Sequence, residues 1–283
     1  MVTASAPSSS GSPAAEDSFH DVFSRRVQDR VIRGNCIEIM PKLPPVDFIF
    51  ADPPFNIGKK YAGDDTRDHM TQTEYREFTD QWLDAAWKIC KGVMCIHGPD
   101  KLVDLVILWM FKNNLAQNRV AWVNWMYNFG QCISSNWVDA RCHCLIFARN
   151  PNKYVWNDDA VRVESLRASE YGDNRVFDTE KGGMRVPGTV WGTQMDGKFW
   201  GRVTGNSKER RKNHDNQLPE KYVGRLIQAY TNPGSTVLDP FGGSGTTIVV
   251  AEALKRSPIT IERSAIYCES IRERLMNGSV QFG

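Results

Sequence analysis

Two short stretches of the chain carry residues whose types and spacing can do chemistry. The first is Asp52-Pro53-Pro54-Phe55, directly after the nearly continuous apolar run of residues 46–51. Consecutive prolines fix φ and donate no N–H. The cluster therefore offers a carboxylate, backbone carbonyls and an aromatic face, which is to say acceptors beside a stacking surface. That set suits a planar –NH2 group, whose two N–H bonds need two acceptors and whose ring needs a face. The second stretch is Val237-Leu238-Asp239-Pro240-Phe241-Gly242-Gly243-Ser244-Gly245-Thr246-Thr247. It reads as a strand entering a glycine-rich turn that opens a helix. Glycines there admit positive φ and close approach of a ligand, and such turns sit at the carboxyl edge of open α/β sheets, where ligands bind. A GxxxxGK[ST] phosphate loop needs a lysine that this turn lacks. The dinucleotide pattern GxGxxG fits at Gly243 and Gly245 only, with Ile248 in the third place. Glu262 closes the next strand, and a carboxylate there accepts hydrogen bonds from ribose hydroxyls. The stretch thus suits a ribose-bearing cofactor whose chemistry needs no pyrophosphate.

The elements that must position these groups can be read from periodicity. Residues 30–33, 46–51, 93–97, 120–123, 144–148, 235–239 and 258–262 read as strands, several of them apolar throughout, as in a parallel sheet buried on both faces. Residues 36–43, 73–91, 101–111, 220–230, 246–255 and 265–275 read as helices, with Phe78, Trp82, Leu83, Ala86 and Ile89 marking one apolar face. Alternating strands and helices predict an open parallel α/β sheet. From residue 151 to 205 the periodicity breaks down, and aromatic residues are spaced among basic ones and glycines.

Composition bounds the remaining possibilities. The chain has 283 residues, 41% hydrophobic and 24% charged, enough for one sizeable core. No run of about 18 apolar residues is present, so no membrane-spanning helix is expected. The overall charge of +2 is uninformative, but residues 141–225 hold 16 Lys/Arg against 11 Asp/Glu. One segment carries the positive excess, as a nucleic-acid-facing insert on a neutral body would. Seven cysteines without a repeated CxxC argue against a disulfide framework. Cys142-His143-Cys144 resembles a metal motif, but in a strand His143 points away from the face shared by the two cysteines, and no metal site is expected. Residues 1–21, rich in Ser, Ala, Pro and Gly, read as a disordered tail.

Together the two stretches resemble the S-adenosylmethionine-dependent amino DNA methyltransferases. Asp52-Pro53-Pro54-Phe55 is similar to their (D/N/S)PP(Y/F) catalytic motif, and residues 239–247 to their cofactor motif. The catalytic motif comes first here, an order that resembles the circularly permuted beta class. Gly34-Asn35-Cys36 resembles that class's turn beside the cofactor adenine, with Asn for the usual Asp. Residues 214–221 resemble the segment before the cofactor strand, with Asp215, Asn216 and Leu218 in place of Pro, Thr and Lys.

The resemblance implies a Rossmann-like α/β methyltransferase fold, with a mostly parallel twisted sheet, helices on both faces and an inserted target-recognition region. It divides the chain into the tail, a catalytic half (22–150), the insert (151–212) and a cofactor-binding half (213–283). It implies S-adenosylmethionine held by Asn35, Cys36, Asp52, Asp239, Pro240, Phe241, Gly243, Ser244, Gly245, Thr246 and Glu262. Asp52, Pro53, Pro54 and Phe55 would receive the N6 amine of a flipped-out adenine. Arg202, Lys208, Arg210, Arg211 and Lys212 would contact DNA phosphates. N4-cytosine methylation is the leading alternative, and a non-catalytic DNA-binding subunit that keeps the fold is another. DNA is the implied partner. The class is also compatible with a homodimer, a cognate restriction endonuclease and a cytoplasmic, nucleoid-associated location.

Overall fold

The computed structural model describes residues 30–58, 68–127, 135, 137–192, 202–203, 207–211 and 216–282. The expected tail of residues 1–21 lies outside the described residues. The elements in chain order are β1 (Val31–Arg33), α1 (Cys36–Ile39), β2 (Val46–Ala51), α2 (Gln72–Ile89), β3 (Cys90–Gly98), α3 (Asp100–Lys112), β4 (Arg119–Met126) and β5 (Arg141–Ala148). They continue with β6 (Val163–Glu164), α4 (Arg167–Tyr171), β7 (Met184–Arg185), β8 (Val190–Trp191), α5 (Glu220–Tyr230), β9 (Thr236–Asp239), α6 (Thr246–Ala253), β10 (Ser257–Glu262) and α7 (Ala265–Asn277).

Eight strands form one sheet in the order β1-β10-β9-β2-β3-β5-β4-β8. From β1 to β3 every pairing is parallel, whereas β5 runs antiparallel to both β3 and β4. The strands alternate between two cores, as side chains with a period of two must. Phe48, Phe50, Val93, Cys95, Cys144, Ile146 and Val237 face α5, α6 and α7. Ile49, Ala51, Met94, Ile96, Leu145, Phe147 and Leu238 face α1, α2 and α3. Helices therefore cover both faces of a mostly parallel sheet, as expected for this fold class.

Local chemistry explains several boundaries. α2 starts at a reciprocal cap: the Thr71 hydroxyl accepts from Glu74 N, and the Glu74 carboxylate accepts from Thr71 N at 2.8 Å. Asn35 caps α1 by accepting from Ile37 N. The aperiodic stretch is not wholly separate from the sheet. Its residues Val190–Trp191 form β8 and pair with β4 at the edge, while β6 and β7 pair only with each other. Cys142-His143-Cys144 is divided between the two sheet faces. Cys144 packs with α5, and His143 bonds to Trp122 and Asp100. Among the described residues no cluster of His, Cys, Asp and Glu is arranged to hold a metal, and no helix is long and apolar enough to cross a membrane.

Candidate active site

Four neighbouring parallel strands deliver the sequence motifs to one edge of the sheet. Phe48 of β2 lies opposite Val237 of β9, and Ile49 opposite Leu238. Extending that register brings Asp52 level with the start of the glycine turn. On the other side of β9, Asp239 lies opposite Thr260 of β10. One strand further, Glu262 lies opposite Arg33 of β1. Gly34 N then donates to the Glu262 carbonyl (2.9 Å), which sets the Asn35-Cys36 turn beside Glu262.

A cavity of about 790 Å³ opens at this edge. Asp52, Pro53, Pro54 and Phe55 line it, together with Asn35, Cys36, Asp239, Pro240, Phe241, Gly243, Ser244, Thr246 and Glu262. Gly245 does not. Its φ of +75° ends the turn where α6 begins, and a side chain there would meet Ile271. Its part is to shape the turn, since L residues with side chains rarely adopt that φ.

The loop after the tetrapeptide is held by Asp68. Its carboxylate accepts from Asn56 N (2.7 Å) and Ile57 N (3.2 Å), while the Asn56 side chain exchanges two bonds with the backbone of Met70. The Tyr75 hydroxyl donates to the Pro54 carbonyl at 2.9 Å. That bond occupies one of the two acceptor positions of the Pro54 carbonyl.

Four carboxylates line the cavity, Asp52, Asp139, Asp239 and Glu262, and the three at the ends of β2, β9 and β10 differ in setting. Asp239 accepts from Phe241 N (2.9 Å) and from the Thr247 hydroxyl. Burial nevertheless pushes it up to about 6, and the charge of Glu262 adds to the shift. Glu262 accepts from Gly243 N (2.8 Å) through one oxygen and Ser264 N (2.7 Å) through the other. Burial raises it as well, against those two bonds. Asp52 receives no hydrogen bond among the described residues. Burial, and then the nearby Asp239, hold it well above the usual carboxylate range. The two motifs converge on one cavity, which both Asp52 and Asp239 line. A wall of crowded, desolvated carboxylates favours a cationic occupant, because a positive charge restores their ionised forms.

The sequence reading missed the cavity's aromatic wall. His97, at the end of β3, is one strand over from Asp52, with Ile96 opposite Ala51. Its ring lies 6.3 Å from Phe55 and 6.0 Å from Trp125, and its Nδ1 is 2.9 Å from the Tyr222 hydroxyl. Burial lowers His97 to about 3, so it is neutral. Tyr127, Asp139, Arg141 and Cys142 also line the cavity. Burial pushes the Cys142 thiol up to about 12, and the charge of Asp52 raises it further. The available signal was positional, since each of these residues stands at or just past a strand end on the same edge.

The residues expected to face DNA separate into groups. Lys208 and Arg210 are exposed. Arg202 lines the cavity, with its guanidinium 5.3 Å from the Tyr127 ring and bonded to Asn216 (3.2 Å). Arg211 is half-buried, and its Nε is enclosed by protein. Lys212 lies outside the described residues.

Comparison with known proteins agrees with this geometry. The model of the N6/N4 DNA methylase family matches residues 46–273. The chain is 30% identical over 253 residues to the Type II methyltransferase M.HpaI of Haemophilus parainfluenzae, covering 88% of this chain and 74% of that protein. It is 30% identical over 266 residues to the DNA adenine methyltransferase YhdJ of Escherichia coli K12, covering 87% and 82%. Its fold matches the M1.HpyAVI–SAM complex with a TM-score of 0.57 at 20% identity, over 87% of this chain and 98% of that one. With the family's pattern spanning the strands that build the cavity, the chain belongs to the N6/N4 DNA methylases.

Proposed function

We propose that the chain transfers a methyl group from S-adenosylmethionine to the exocyclic N6 amine of adenine in DNA, and that it belongs to the circularly permuted beta class. The observation that carries this reading is the meeting of Asp52 and Asp239 in one cavity, an amine receptor beside a cofactor turn. The residues present fit the cofactor. Glu262 can accept from ribose hydroxyls with the lone pairs its two backbone bonds leave over. The Gly243 backbone, at φ +49°, lets a ligand approach closely. Three carboxylates with raised pKa suit a cation. When bound, S-adenosylmethionine supplies an electrophilic methyl group on a positively charged sulfur.

The chain's own residues do the remaining work. The amine of adenine is a weak nucleophile because its lone pair is delocalised into the ring. Extruding the base from the duplex costs about a few kcal/mol. Stacking on Phe55 returns about 1–3 kcal/mol. The Asp52 carboxylate and the Pro53 carbonyl accept the two N–H bonds, which draws the nitrogen toward tetrahedral geometry and frees its lone pair. As positive charge grows on nitrogen, Asp52 stabilises it, and the surplus N–H proton then passes through the Asp52 carboxylate to water, leaving the methylated amine neutral. No covalent enzyme intermediate is required, so Cys142 needs no nucleophilic role. Lys208 and Arg210 contact phosphates, which position the enzyme without reading sequence.

Adenine is favoured by the Asp in the tetrapeptide and by the similarity to an adenine methyltransferase over most of both chains. Digesting DNA treated with the enzyme and separating the nucleosides tests this reading. N6-methyladenine is expected. N4-methylcytosine would overturn the choice of base, and unmodified DNA would overturn the activity.

A further inference from the structure

Arg274 and Glu220 form the most completely buried ion pair in the described structure, with side chains 1% and 0% exposed and 2.8 Å between Nη2 and Oε1. Neither residue lines the cavity, but Arg274 is one hydrogen bond from residues that do, and Glu220 reaches them through Arg274. Arg274 Nη1 donates to the Ser244 carbonyl (2.8 Å) and to Thr246 Oγ1 (2.9 Å), gripping the glycine turn from behind. The other Glu220 oxygen accepts from Ser279 Oγ (2.6 Å), Val280 N (2.8 Å) and Gln281 N (2.9 Å). A buried pair costs desolvation and is weak evidence of stability. Its best-attested use is to fix one arrangement out of several.

The network continues outward to the exposed basic run. Glu209 sits between Lys208 and Arg210 but points inward: it is buried and they are exposed. Its carboxylate accepts from Glu220 N (2.9 Å) and from Gln281 Nε2 (2.8 Å). Its carbonyl accepts from Gln217 Nε2 (2.6 Å), and Gln217 lines the cavity. Glu209 is the backbone neighbour of both exposed basic residues, and from Glu209 to the cofactor turn the links between residues are hydrogen bonds and an ion pair inside protein, where such links are strongest.

We propose that Glu209, Glu220 and Arg274 are positioning residues for the glycine turn, and that phosphate contacts at Lys208 and Arg210 are felt through them as a change in cofactor affinity. This rests on the proposed reading of the cavity as the S-adenosylmethionine site. The coupling is reciprocal by thermodynamic necessity. It is also independent of DNA sequence, because phosphate contacts carry none.

The test is calorimetric titration of S-adenosylmethionine into the full chain, with and without saturating random-sequence duplex DNA. Wild type, Arg274→Met, Arg274→Lys and Glu209→Gln are compared, and a thermal melt is recorded for each. In wild type the two affinities are expected to differ about fivefold or more. Arg274→Met weakens cofactor binding about tenfold or more, and Arg274→Lys, which keeps the charge but loses the planar fork, weakens it less. Glu209→Gln brings the ratio of the two affinities to within about twofold of unity. A purely structural role would lower melting temperatures and leave that ratio in place, which overturns the proposal. A ratio of one in wild type overturns it with no variant needed. A wild-type chain that binds no cofactor refutes the reading of the cavity instead.

Discussion

The proposed catalytic strand end and the proposed cofactor strand end lie side by side in the same cavity, but they hold their carboxylates in opposite ways. Past β9 and β10, Asp239 and Glu262 are each fixed by two donors, among them the backbone N–H groups of Phe241, Gly243 and Ser264. Past β2, Asp52 has no donor among the described residues and is desolvated beside another carboxylate. Satisfied acceptors hold a ligand in a fixed place. Asp52, half-buried at the cavity wall and without a donor among the described residues, leaves its acceptors open to a substrate amine. On the proposed reading, the contrast teaches that binding and chemistry are separable along one sheet edge, one strand apart.

Replacing Asp52 breaks the comparison most severely. Asp52→Ala or Asp52→Asn is expected to lower methyl transfer by about 10³-fold or more, with a far smaller loss of cofactor affinity, because Asp239 and Glu262 still face the cation. The fold should not suffer. A carboxylate whose folded pKa is raised is ionised more easily in the unfolded chain, so its contribution to stability is lost as pH rises above the ordinary carboxylate range. Asp52→Asn removes that cost, and thermal melts at neutral pH should show equal or greater stability.

Glu262→Gln has the next largest expected effect. A glutamine carries one acceptor oxygen, so either Gly243 N or Ser264 N faces an amide NH2 instead. Leaving a buried donor unmatched costs about 1–3 kcal/mol, and calorimetry should show cofactor affinity falling by about tenfold or more while Asp52 is untouched.

The pH dependence sharpens the electrostatic side of the comparison. Asp239, held at about 6, gains its charge as pH rises through that value. Affinity for cationic S-adenosylmethionine should then climb relative to its neutral thioether product, by about several-fold between roughly pH 5 and 7. Parallel titrations of the two ligands measure this, and parallel curves would remove the role given to the crowded carboxylates. The smallest effect concerns Lys208 and Arg210. Alanine at either should reduce the slope of log affinity for DNA against log salt by about one, with little change in cofactor-free stability.

The sequence made the central sheet legible where burial forces a pattern. The apolar run of residues 46–51 could be little but a buried strand, and α5 occupies the residues its periodicity marks, Glu220–Tyr230. The turn at Gly243 and Gly245 was readable because few residues tolerate its φ. The antiparallel course of β5 was not, since a strand's own residues do not name its partners. Nor was β8, whose two residues are too few to show a period. His97 and Trp125 reach the cavity only because β3 and β4 end at the same edge as β2. The Glu220–Arg274 pair joins positions far apart in the chain, and neither has a local signature. Arg211 looked like its neighbours in sequence, yet the turn at residues 207–210 carries Glu209 inward and Arg211 is half-buried.

The account depends on the amine receptor and the cofactor turn facing one another across a single cavity. A bisubstrate compound, with adenine N6 joined by a short linker to the sulfur position of the cofactor, spans both halves. Its dissociation constant should be about tenfold or more below that of S-adenosylmethionine, with the advantage lost in Asp52→Ala while binding of the cofactor alone persists. A compound that binds no better than the cofactor, and equally to both proteins, would contradict it.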